Sequence, residues 1–160
     1  MPLRHSIQVG LSFGLTSGVI TTLGLVVGLA AGTASRLAVL GGIVTIAVAD
    51  SLSDALGIHV SEESESVHTH REIWASTFAT FASKLLMALS FAVPVLVLDL
   101  PAAVLASVAW GIVALATMSY HLARLQGVKA WPVVTEHLAV AATVVVISHY
   151  VGRLIASVFA

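Results

Sequence analysis

Residues 7–32 read IQVGLSFGLTSGVITTLGLVVGLAAG, with no charged side chain anywhere in the run. As a helix it is long enough to cross about 30 Å of hydrocarbon. It is too long and too continuous for a transmembrane barrel strand, which alternates apolar and polar residues. Ile7 to Ala31 also exceeds the apolar core of a signal peptide, and no polar mature domain follows, so it reads as a retained span. Four further stretches are of the same kind: 36–60, 74–98, 102–124 and 132–158. Backbone polar groups in lipid must be satisfied within the segment, so each is expected to be a helix. The fold class is therefore all-α, an integral membrane bundle of five transmembrane helices in one domain covering residues 1–160.

The remaining composition agrees. Of 160 residues, 58% are hydrophobic and only 9% charged, against about 25% charged in soluble domains. Mean hydropathy is +1.03. There is too little polar surface to coat a water-facing globule, so lipid is the expected surrounding. A net charge of -1 excludes a nucleic-acid partner, which would need clustered cations. The absence of cysteine excludes disulfides and thiolate metal sites.

The breaks between spans are short. Gly32 to Arg36 is a polar turn, Asp99-Leu100-Pro101 a stop and restart, and Gln126 to Pro132 the last loop. Pro94 is expected to kink the third span near its end. With five spans, Arg4, Arg71, Arg124 and Lys129 fall on one side, and Arg36 and Arg153 on the other. The excess places the N-terminus and the 61–73 loop in the cytoplasm and the C-terminus outside. Glycines 10, 14 and 18, then 24, 28 and 32, form two Gly-x-x-x-Gly registers in the first span. Such registers admit a closely packed neighbour, at a transport path or a dimer seam.

Chemistry concentrates on the second span. Asp50 and Asp54 are four apart and share one helix face. Ionisable groups at that depth are costly and usually mark ion or proton pathways. Two carboxylates suit a hard or borderline divalent cation; Lys84, deep in the third span, is the expected counter-ion if they are structural instead. His59, Glu62, Glu63, Glu65, His68, His70 and Glu72 follow in a short acidic and histidine-rich loop, residues 59–72. Carboxylate and imidazole together suit divalent transition metals; a simply solvated loop is the other reading. His121, His137 and His149 read as packing residues, and Trp74, Trp110, Trp131 and Tyr120 as interfacial aromatics.

Four segments resemble the vacuolar iron transporter family. Leu15 to Gly28, LTSGVITTLGLVVG, is similar to its Asp-Gly-x-x-Ser-Thr-x-x-x-x-x-Gly opening. Ser53 to Ser61, SDALGIHVS, is similar to its Ser-Met-Ala-x-Gly-Glu-Tyr-Val-Ser. Phe78 to Ser83 leading to Pro94 looks like the end of its third helix, and Val151 to Ile155 like its final Gly-Arg run. The resemblance implies five helices, a cytosolic N-terminus, a homodimer, and exchange of Fe²⁺ or Mn²⁺ for protons. The departures fall on the family's ion path. Its first-helix Asp aligns with Ser17, its second-helix Met with Asp54 and its second-helix Glu with Ile58, while Asp50 has no counterpart. Loss of the thioether shifts the expected cargo toward harder ions such as Mn²⁺. Residues 59–72 are also too short for the family's three-helix cytosolic metal-binding domain.

The expectation is a homodimeric transporter in the lipid bilayer that moves Mn²⁺ or Fe²⁺ out of the cytoplasm against protons. It would hold no resident cofactor. Asp50 and Asp54 would bind the ion, Thr16, Ser17 and Thr21 would offer oxygens from the first helix, and His59, Glu62, Glu63 and Glu65 would gather it. The rival is a non-transporting membrane subunit with a structural Asp/Lys network and a partner-docking acidic loop. No enzymatic activity is expected. An aspartyl hydrolase needs its two carboxylates facing each other across helices, and two on one helix build a single wall.

Overall fold

The computed structural model describes residues 3–159, all helix and short connections with no strand among them. The helices are α1 (Leu3–Thr33), α2 (Arg36–Ser64), α3 (His70–Ser90), α4 (Ala92–Val97), α5 (Leu100–Gln126) and α6 (Ala130–Phe159). With α3 and α4 taken together as one interrupted span, five segments are long and apolar enough to cross a membrane. Each begins or ends a few residues beyond the apolar run that marks it, because caps extend the helix into polar sequence.

Those caps are visible. Ser35 accepts a bond from the Ala38 N–H at the start of α2. Asp99 does the same for the Ala102 N–H at the start of α5, where Pro101 occupies the first turn. Gly127 ends α5 at φ 71°, in the left-handed region that glycine enters without a Cβ clash. The interruption after Ser90 has a local cause. Pro94 has no N–H to give the Ser90 carbonyl, and its ring crowds that same oxygen. The chain responds with a turn at Phe91, whose N–H bonds Ala88 at 3.2 Å, before α4 begins. The expected kink appears as an interruption of the helix at Phe91, one turn ahead of the proline.

The loop expected at 61–73 is largely helical. Helix α2 continues to Ser64 and α3 starts at His70. A capping box explains the early start: the Thr69 hydroxyl accepts from the Glu72 N–H, and the Glu72 carboxylate accepts from the Thr69 N–H at 2.8 Å.

Helix α1 is the hub, packing on α2, α3, α5 and α6. Its Val19, Leu23 and Val26 are fully enclosed and form the core with Val39, Ile43, Phe91, Ala103 and Leu115. The two glycine registers serve two different neighbours. A Cβ on Gly10 or Gly14 would collide with the α3 backbone at Ser76 or Thr80. Gly28 and Gly32 instead face Ser148 and Gly152 of α6. The six-residue step from Gly18 to Gly24 turns the helix by about 240°, at 3.6 residues per turn, and so moves the smooth stripe from one partner to the other. Both seams lie within one chain.

Candidate functional site

The first glycine register brings α3 against α1 at mid-span, and this contact delivers Lys84. Its side chain is 1% exposed and its Nζ lies 2.5 Å from a carboxylate oxygen of Asp50 and 2.5 Å from one of Asp54. Nζ also donates to Ser17 Oγ at 2.9 Å. Ser17 in turn donates to Asp54 at 2.7 Å. Three side chains, one from α1 and two from α2, therefore close on the ammonium that α3 supplies, each from near the middle of its helix.

The i, i+4 spacing of Asp50 and Asp54 puts both on the face turned to α3. The cluster carries two carboxylates and one ammonium, a surplus of one negative charge. It is not sealed. The Asp50 side chain is 28% exposed and that of Asp54 21%. Asp50 and Ser53, with Leu25, Gly42 and Thr45, line an open groove of about 490 Å³ on the outer side of α1 and α2. Carboxylates in the middle of a helix apolar enough to cross a membrane usually face the bundle interior or a water-filled space, and this groove is the space on which the pair opens.

The other expected ligands are placed elsewhere. Thr21 donates to the Ser17 carbonyl at 2.9 Å and lines a separate apolar groove between α1 and α6. Thr16 lines a third cavity, toward α5. His59 sits on the α2–α3 seam, its Nδ1 3.0 Å from Thr77 Oγ1 and its ring edge-on to Trp74. The Thr77 hydroxyl donates to the Ile73 carbonyl, so His59 Nδ1–H is the donor to Thr77.

The acidic run is divided in the same way. Glu62 is buried and accepts from Ser76 at 2.6 Å. Glu63 is exposed. Glu65 pairs with His68 at 3.1 Å. Among the described residues no three His, Cys, Asp or Glu side chains are gathered as a metal would need. The acidic run is thus two buried helix-end contacts and an exposed remainder, not a preformed metal cage. Two features lie outside the sequence expectations, one with a sequence signal and one without. Thr69-x-x-Glu72 is a capping-box signature, and it explains why Glu72 is buried. The imidazole of His137, 2.7 Å from Ser119 Oγ, carries no sequence signal, because its partner is set by how α5 meets α6.

Comparison with protein-family models, with curated proteins and with solved structures finds no match to this chain.

Proposed function

We propose that the chain is an ion transporter of the lipid bilayer that exchanges a divalent transition-metal cation for protons, with Asp50, Asp54 and Ser17 as the ion's ligands. One observation carries the reading: two mid-span carboxylates share a single buried ammonium, at 2.5 Å each, and open on a groove. The donors present are all oxygen, the set that suits Mn²⁺ better than a soft ion and leaves Fe²⁺ second. Mn²⁺ takes about six oxygens, so water from the groove would complete the shell. An arriving cation competes with the Lys84 ammonium for the same oxygens, and proton return through the same carboxylates would supply the coupling. The resemblance to vacuolar iron transporters supports the same direction, out of the cytoplasm, and a homodimer.

The test is Mn²⁺ uptake into proteoliposomes bearing a pH gradient. Asp50→Asn and Asp54→Asn are each expected to abolish it while leaving a folded protein. Undiminished uptake in both variants would refute the assignment.

A second reading has its own support. Lys84 is 1% exposed and has three partners, which is what a structural clasp requires. In that case the chain is a non-transporting subunit, and Asp54→Asn unfolds it rather than yielding a stable, inactive form.

A further inference from the structure

The two carboxylates of the ion cluster are held unequally. Asp54 accepts hydrogen bonds from Lys84 Nζ at 2.5 Å and from Ser17 at 2.7 Å. Asp50 is equally near the ammonium, yet the oxygen that faces it is buried and accepts no hydrogen bond from the described residues. Its tie to Lys84 is therefore one of charge alone. Asp50 is also the carboxylate that lines the open groove, beside Ser53 and Thr45, whereas neither Asp54 nor Ser17 lines it. The less committed acid thus stands where an arriving ion would meet the cluster.

Lys84 itself stands where a bound cation would. Its Nζ touches oxygens of Asp50, Asp54 and Ser17 at 2.5, 2.5 and 2.9 Å, the same three side chains that would ligate a metal. An ammonium is a compact single charge, and this one is tethered, so it never diffuses away. A monovalent cation from solution brings no more charge than the group it displaces. It would also strand a buried ammonium away from its carboxylates, which is costly. A divalent cation at the same distance doubles the Coulomb attraction to both carboxylates and so can offset that cost. Discrimination through a built-in repulsive element is a general route to specificity.

We propose that Lys84 sets the charge selectivity of the site: it is a tethered cation that keeps Na⁺ and K⁺ off Asp50 and Asp54 and yields only to a divalent ion. The inference rests on the transport reading for what the site is, and it concerns which ions are refused rather than which is moved.

The experiment measures Mn²⁺ binding to the full chain in nonionic detergent, by loss of the free-ion EPR signal. It is run in about 0.1 M NaCl and in choline chloride of the same strength, which screen charge equally. The unmodified chain is expected to bind Mn²⁺ equally well in both salts. Lys84→Met is expected to bind it at least about tenfold more tightly in choline chloride, because the like charge beside the ion is gone, and to lose most of that gain in NaCl. Where Lys84→Met is too unstable for binding to be read, its thermal unfolding gives the same answer: Na⁺ stabilises the variant relative to choline and leaves the unmodified chain unchanged. Unequal Mn²⁺ affinity of the unmodified chain in the two salts overturns the proposal, and so does a Lys84→Met chain indifferent to Na⁺. The transport reading fails separately, when the unmodified chain carries no Mn²⁺ into proteoliposomes while Lys84→Met shows the Na⁺ response. Lys84 then guards a cation site that is not a transport path.

Discussion

Lys84→Met keeps the length and the apolar stem of the side chain and removes only the ammonium. The two carboxylates are then left with Ser17 as their one polar partner in the cluster. Removing one member of a buried ion pair costs about 3–5 kcal/mol. The side chains of Asp50 and Asp54 are 28% and 21% exposed, which screens part of the loss and points to the lower end, about 3 kcal/mol. Asp50→Asn acts in the opposite sense on the charge balance. It discards the surplus negative charge and leaves Lys84 paired with Asp54, so its cost is that of one partly exposed charged contact, about 1.5 kcal/mol. Asp54→Asn falls between, because Asp54 holds both Lys84 and Ser17 and the asparagine oxygen can still accept from serine. The ordering Lys84→Met worst, then Asp54→Asn, then Asp50→Asn is the signature of one cation shared by two anions. Unfolding in SDS–detergent mixed micelles measures it, and the outer two variants should differ roughly tenfold in their unfolding constants. The reasoning fails if Lys84→Met is as stable as the unmodified chain, or less damaging than Asp50→Asn.

Gly152→Ala should be among the most damaging small substitutions, because the added Cβ would lie 2.2 Å from the Gly28 carbonyl oxygen. About 1–3 kcal/mol of overpacking is expected in the same assay, whereas Gly57→Ala, with open space around it, should be neutral or stabilising by up to about 1 kcal/mol. Thr69→Ala removes the hydroxyl half of the capping box and is expected to cost about 1 kcal/mol, read as faster amide exchange at the start of α3 than at its centre. Ser53→Cys, in a chain with no native cysteine, should react with a water-soluble thiol reagent because the thiolate forms only where water reaches the groove beside Asp50. Val113→Cys, exposed on the middle of α5, faces hydrocarbon and should stay inert. Equal inertness at position 53 would mean that the groove is dry.

The five long apolar helices were legible because a run of about 20 apolar residues forms a helix fit to cross hydrocarbon without help from distant sequence. The kink was legible for the same reason: Pro94 acts on Ser90, four residues away. What escaped the sequence reading at 61–73 was the burial of Glu62 and Glu72. Both are acids in a polar run, and such runs usually face water. Here α2 and α3 extend past the apolar stretch, and Glu62 is enclosed against Ser76 fourteen residues on. The glycine registers are close-packing seams, but both meet helices of the same chain rather than a dimer partner, and periodicity alone gives only the angle between the two stripes. It does not say whether the second stripe meets another helix of the same chain or of a second copy.

The site divides along the same line. That Asp50 and Asp54 share a face follows from spacing alone. That one ammonium serves both depends on the register of α3 against α1, which is set at Gly10 and Gly14, where the α3 backbone comes too close for any Cβ. An alanine at either glycine would slide or lift α3 and move Lys84 with it, more than a helical turn away. The ion cluster and the seam are therefore one device. Its charge is written in α2, but its geometry is written in two residues of α1 that carry no chemistry at all. Thr21 and Glu62 illustrate the converse: both have the right atoms for a ligand, and both are committed by packing to other partners. Among the oxygens expected from the sequence, the ones that remain together are those of Ser17, Asp50 and Asp54, and what joins them is Lys84.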